Sequence, residues 1–435
     1  MTRKRFRARA LVAALAILPL CAPWAAVRAA PLDPGGDYAL GDWAGTRTDL
    51  ARQGVRFDLG YVGEMAHNLS GGFREDGRLA YADQFHASLS LDLERLAGVN
   101  DADFKITLTN RNGENLTGER LVDPATGGVS SVQEVFGRGN VTRLTQLWFQ
   151  QGLFGGALEY KLGRIPLSDD FATLESRFQN LYLGSGQPGN QAGAVWYNWP
   201  VSQWGGRVKV QDGARRYLQL GVFDQNPENL DPDQALDLYR HGSEGVITPV
   251  EVGWVPDKGP GGLPGKYKLG AYYSSAEATD YEDGGTRERR YGGYFVVQQQ
   301  VSAPHGDRRG LTLFSQGSWH DPDTAYVARY LSAGASWRGP WQGRPRDELG
   351  VGLAYAEIGD AYVDSATAGN PLVAGPGAAG YVPPQSDEWN AELYYGIHMT
   401  PWLTLRPNLQ YLVHPGANDA VDDAWVVGTT VALTL

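Results

Sequence analysis

The stretch VRFDLGYVGEM, residues 55–65, puts Val55, Phe57, Leu59, Tyr61 and Met65 on one parity and Arg56, Asp58 and Glu64 on the other. A period of two is the signature of a strand with one apolar and one charged face. Which face points inward decides the fold. In a soluble sandwich the apolar face is buried between two sheets. In a transmembrane barrel it meets lipid, and the charged face lines water.

The pattern recurs to the last residue. In YADQFHASLSLDLE, Tyr81, Phe85, Leu89 and Leu91 alternate with Gln84, His86, Ser88, Ser90 and Asp92. In DFKITLT, Phe104, Ile106 and Leu108 oppose Asp103, Lys105 and Thr107. WNAELYYGIHM and LTLRPNLQYL repeat it near the end. About sixteen such segments start near residues 55, 80, 102, 142, 156, 204, 216, 248, 266, 289, 309, 328, 347, 387, 402 and 424. Gly-, Pro- and Asp-rich stretches such as DPATGGVSS and PDKGPGGLPG separate them and read as turns and loops.

Three features favour the barrel. Several segments run long, near what a tilted strand needs to cross a bilayer. Trp148, Trp254, Trp319, Trp337, Trp389, Trp402 and Trp425 sit near segment ends, as girdle aromatics do. The N-terminus MTRKRFRARALVAALAILPLCAPWAAVRAA has the basic, apolar and small-residue order of a secretory signal, with cleavage expected after Ala29. Glycines on the polar parity (Gly221, Gly253, Gly270, Gly350, Gly352) would leave room in a lumen. The expected fold is therefore all-β: a transmembrane antiparallel barrel of about sixteen strands over residues 55–435. A segment over residues 30–54 precedes it, with one short amphipathic helix from Ala44 to Gln53. Trp43, Arg47 and Leu50 share a face of that helix, Gly54 ends it, and packing is its expected task.

Composition narrows the function. The formal charge is −11, and the signal would remove six basic residues and no acid, so nucleic acid is a poor partner. The single cysteine, Cys21, lies in the signal, which excludes disulfide staples, thiol catalysis and a Cys-based zinc site from the mature chain. Leu20 before it argues against a lipoprotein box. The acidic stretches DPDQALD and YEDGG lack EF-hand spacing, so no metal or cofactor is expected. His86 with Ser88 and Ser90 could hint at a barrel-embedded hydrolase, but no G-x-S-x-G elbow accompanies them, and polar lumen is the simpler reading.

The segments GDWAGTRTDLARQGVRFDLGY, LTNRNGENL, QLWFQQGLF, LEYKLGRIPLSDDFA, RFQN, YNWPVSQWGGRVKV, QLGVFDQNP and LPGKYKLGAYY, in that order, resemble the carbohydrate-selective porins of the OprB family. The resemblance runs from about Gly41 to the end. It implies a sixteen-stranded barrel in the outer membrane of a Gram-negative bacterium, passing glucose and similar sugars by facilitated diffusion without chemistry. It also leaves a homotrimer open, as in many porins. One departure is the final Leu435, where such barrels usually end in an aromatic.

Sugar hydroxyls both donate and accept, so Arg, carboxylate and amide groups suit a sugar pore, and aromatic rings suit the C–H face. Arg111 has the lumen parity of Lys105, Thr107 and Thr109, and by resemblance it stands at the constriction with Asn110 and Asn115 nearby; a turn pair with Glu114 is the alternative. In PLSDDFATLESRFQN, Asp169, Asp170, Gln179 and Asn180 match the family pattern, either touching sugar or capping a helix of an inward loop. Trp199, in WYNWPVSQW with Trp196, Tyr197 and Trp204, offers a stacking face, and loop packing is the alternative for at least half of these rings. Arg56 and Glu64 are candidate lumen wall. The alternatives are a general or anion-handling porin and, further off, an outer-membrane hydrolase.

Overall fold

A computed structural model describes residues 32–435 except 194, 239–241, 305–308, 374 and 377. The expected signal peptide lies outside the described residues. Sixteen strands close into one barrel: β1 (Val55–Ser70), β2 (Leu79–Asp92), β3 (Ala102–Gly113), β4 (Val141–Leu153), β5 (Leu158–Ile165), β6 (Gln203–Gln211), β7 (Arg216–Gln225), β8 (Gly245–Trp254), β9 (Gly265–Ser274), β10 (Arg290–Gln300), β11 (Gly310–His320), β12 (Val327–Arg338), β13 (Glu348–Ile358), β14 (Asp387–His398), β15 (Leu403–Val413) and β16 (Ala424–Thr434). Each expected start falls within three residues of the observed one. Each barrel strand pairs antiparallel with its sequence neighbour, and β1 pairs with β16, so the barrel has no open edge.

The exposures invert those of a soluble domain. Leu162, Leu220, Leu269 and Val351 are 50–56% exposed, while Glu64 and Glu392 are 2% exposed and Glu251 and Gln410 fully buried. The apolar parity therefore faces out and the polar parity faces in. Met65 is exposed, and its neighbour Glu64 points inside, which answers the question posed by residues 55–65.

Outward-facing Trp254, Trp319, Trp337, Trp389 and Trp425 build the aromatic girdles, several against tyrosines: Trp254 on Tyr267 at 5.3 Å and Trp425 on Tyr411 at 4.5 Å between ring centres. Two of the expected girdle residues do not belong to them. Trp148 pairs with the lumen residue Lys105 and carries the Lys161 ammonium over its ring, because the β3–β4 register shifts between Thr107 and Leu108 and swaps the faces of β4. Trp402 is buried in a short turn, where its indole donates to the Asp33 carbonyl at 2.8 Å.

The N-terminal helix α1 spans Thr46–Arg52 rather than starting at Ala44. Ala44 and Gly45 both have positive φ (56° and 93°), which a right-handed helix excludes. Its task is packing: the buried Arg47 guanidinium donates to the carbonyls of Leu435 (2.8 Å) and Phe57 (3.2 Å) and lies 3.5 Å from the Tyr38 ring centre. The helix thus straps the seam where β1 meets β16.

Candidate functional site

Connections of ten residues or fewer join the strands at the end that holds both termini, and the longest connections lie at the other. Two of these, the β3–β4 loop (residues 114–140) and the β5–β6 loop (residues 166–202), fold back into the barrel. Their apolar side chains account for it. Phe171 packs edge-on to Phe223 and Trp196, and Phe178 sits against Tyr394 at 4.9 Å and Phe314 at 5.7 Å. The wall glycines give them space: a Cβ at Gly352 would meet Leu183 at 2.9 Å, and one at Gly221 would meet the Phe171 ring at 3.2 Å. The room expected in an open lumen is thus partly filled by the loop itself.

Between the two loops and the wall lies a chamber of about 540 Å³. Arg111, Glu134, Arg138, Asp169 and Trp199 line it together with Asn115, Phe136 and a set of serines and asparagines. Arg111 is 8% exposed, and its Nε donates to Gln84 Oε1 at 2.8 Å. The same oxygen accepts the Trp199 indole N–H at 2.9 Å, so one amide aims both groups. Among the described residues the two terminal nitrogens of Arg111 have no hydrogen-bond partner, which leaves the fork free toward the chamber. Glu114 pairs with Arg78 at 2.6 Å instead. Asp169 accepts from Gln146 at 2.5 Å, and Asn115 lies half-buried on the rim with its side-chain oxygen on the Thr117 N–H.

Other candidates stand elsewhere. Asn110 lies on the outer face, paired with outward Phe85 and donating to Thr142, because successive residues of a strand point to opposite sides. It is therefore removed from the pore. Asp170 is buried between Lys161 (2.8 Å) and Arg207 (3.1 Å) on the wall. Gln179 and Asn180 are buried loop anchors: Asn180 donates to Asn390 and Gln410 and caps the Leu181–Leu183 turn through the Tyr182 N–H. Gln179 donates to the Met65 carbonyl and accepts from Asn408. Glu64 holds the β3–β4 loop through the Val135 N–H at 3.1 Å. Arg56 sits at the start of β1, 3.9 Å from Asp103. Trp196 and Tyr197 are loop core, and Trp204 donates to the Leu238 carbonyl. His86 stands 3.5 Å from Asp58, and Ser88 hydrogen-bonds Thr107 at 2.8 Å, which is lumen packing.

Sequence reading missed Glu134 and Arg138. The available signal was the stretch FGRGN: Arg138, at φ 67°, stands between glycines at φ 128° and 86°. A non-glycine residue held there stores about 1–3 kcal/mol of strain, and such residues gather at functional sites. Arg143 stabilises it by donating through Nε and Nη2 to the Arg138 carbonyl at 3.2 and 2.7 Å.

A closed sixteen-stranded barrel with an apolar exterior and two loops folded into a polar interior is a diffusion channel of the porin class. The model of the carbohydrate-selective porin, OprB family, matches residues 76–435. The chain is 43% identical to Porin B of Pseudomonas aeruginosa, covering 94% of this chain and 93% of that one. A high-pH structure of Pseudomonas putida OprB superposes with a TM-score of 0.90 at 42% identity, over 93% of this chain and all of that one. A low-pH structure of the same relative gives 0.60 at 33% identity, over 92% and 99%. This chain belongs to the carbohydrate-selective porin family, OprB. It is an outer-membrane channel of a Gram-negative cell, not an enzyme.

Proposed function

We propose that this porin passes glucose-like sugars by facilitated diffusion, and that the chamber between the two inward loops is where they are selected. One observation carries this reading: two guanidinium groups, Arg111 and Arg138, converge with the Glu134 carboxylate and the Trp199 indole on one small polar space. Arginine forks donate to sugar hydroxyls, the carboxylate accepts from them, and the indole offers its face to the C–H side of the ring. Such groups replace the sugar's hydration without holding it so firmly that passage stops. The outward apolar belt meets lipid. The test is saturable block of ion current by glucose in planar bilayers; current that stays unchanged at high glucose would rule out selection by the chamber.

Charge in the chamber depends on pH. Burial pushes the Asp169 carboxyl up to about 6, with Lys161 acting against it. Burial also raises Glu134, opposed by Arg406 and Arg111. A carboxyl with a raised pKa is charged above that value and neutral below it. As pH falls through about 6, the chamber loses negative charge beside two arginines, and its preference for anions rises. The reversal potential in a KCl gradient should move in that direction, and Asp169→Asn should flatten the change near pH 6. A profile unchanged by that substitution would remove Asp169 from the conducting path.

A further inference from the structure

We propose that Glu392, a wall residue outside the chamber, sets the width of the constriction by clamping the β5–β6 loop, and through it positions Glu134. The proposal rests on the reading of the chamber as the constriction. On β14, Glu392 is 2% exposed and turned into the barrel. Its Oε1 accepts the Gln179 N–H at 2.9 Å and its Oε2 accepts the Asn180 N–H at 2.7 Å. The Gln179 carbonyl in turn accepts the Glu134 N–H at 2.9 Å, and the Leu181 N–H donates to the Ser131 carbonyl at 2.9 Å. A continuous chain of contacts therefore runs from the wall, through the β5–β6 loop, to the chamber's carboxylate on the β3–β4 loop.

The same device recurs. Glu251 on β8 is fully buried and accepts the Ala172 N–H at 2.8 Å, at the start of the loop's path across the lumen. Its other oxygen is already taken by Tyr217 and Gln219. Glu64 on β1 accepts the Val135 N–H beside Glu134. Three strands thus each offer a buried carboxylate to loop backbone. Among these three, Glu392 is the one whose two oxygens both accept from consecutive loop amides.

The chemistry requires a carboxylate there. It is an acceptor at both oxygens, and its charge strengthens each N–H bond. A glutamine in its place presents one oxygen and one NH₂, so one of the two backbone N–H groups faces another donor. Protonation has a similar effect on one oxygen. The charged groups around Glu392 are Arg406 and Glu134, with Glu64 beyond Glu134 in the same cluster.

The experiment is Glu392→Gln in the full-length porin, reconstituted in planar bilayers and sized with neutral polyethylene glycols added to the bath. Polymer exclusion reads the opening whether or not the chamber prefers sugars, so failure here is distinct from failure of the sugar reading. The expected result is an exclusion limit shifted to larger polymers and a fall in the preference for monosaccharides over disaccharides, with an intact, heat-modifiable barrel. The wild-type limit is expected to rise as the pH is lowered, and that of E392Q to be wide at every pH. A folded E392Q with the wild-type limit and the wild-type pH profile overturns the proposal. Should E392Q not fold, Glu392→Asp keeps the charge but withdraws it by one methylene. The same widening is expected, and an unchanged limit in that variant is equally fatal.

Discussion

Arg111→Ala is expected to weaken glucose block of the ion current about ten- to a hundredfold, with single-channel conductance kept or raised. A hydrogen bond to a charged group is worth about 1.5–3 kcal/mol, and each 1.4 kcal/mol is tenfold in an equilibrium. Alanine removes the fork that faces the chamber and also vacates one of the two bonds on Gln84 Oε1, the oxygen that holds the Trp199 indole. Both donor and stacking face are therefore disturbed. Arg111→Lys separates the two contributions: the charge stays, but a single ammonium cannot hold Gln84 and present a planar fork at once. Lysine should recover ion selectivity without recovering the sugar block. Blocking constants equal to wild type in both variants would move the selecting site away from β3.

Asp170→Ala is expected to destabilise the barrel by about 3–5 kcal/mol, the usual penalty for breaking a buried pair from one side. Lys161 lies 2.8 Å and Arg207 3.1 Å from this carboxylate, and all three side chains are less than a tenth exposed. Burial pushes the Asp170 carboxyl up, yet the two cations more than offset this and hold it below the ordinary carboxylate range. Arg207 retains a direct ion pair with Glu159 after the substitution, whereas Lys161 loses its ion pair and keeps the face of Trp148 and the charge of the neighbouring Asp169. The penalty should accordingly shrink when Lys161→Ala is added to Asp170→Ala, giving a coupling energy in a double-mutant cycle. Thermal unfolding of the detergent-solubilised protein measures it. Additive losses would mean that Lys161 and Asp170 do not act as a pair.

These two aspartates show how far the sequence could be read. Asp169 and Asp170 are adjacent and alike in type, and the sequence treated them as equal candidates for sugar contact. The fold sends Asp169 to the chamber and Asp170 into an ion pair with the wall. Their own sequence does not distinguish them, because the decision depends on Lys161 of β5 and Arg207 of β6, which flank the loop on the wall. Gln179 and Asn180 are similar. Their partners come from β1, β14, β15 and the β3–β4 loop, and only closure of the barrel brings those together.

The approximate strand number and the facing of most strand side chains followed from local alternation, since a period of two leaves one choice of face per strand. Arg111 belonged to that category too, since its parity followed from Lys105, Thr107 and Thr109. The place of Trp148 near a segment end points to a girdle, and the register slip between Thr107 and Leu108 turns it inward instead. Loop residues had no such period to follow. Glu134, Arg138 and Trp199 meet because two loops fold into one lumen, held by contacts far apart in the chain, and that meeting is a property of tertiary structure alone.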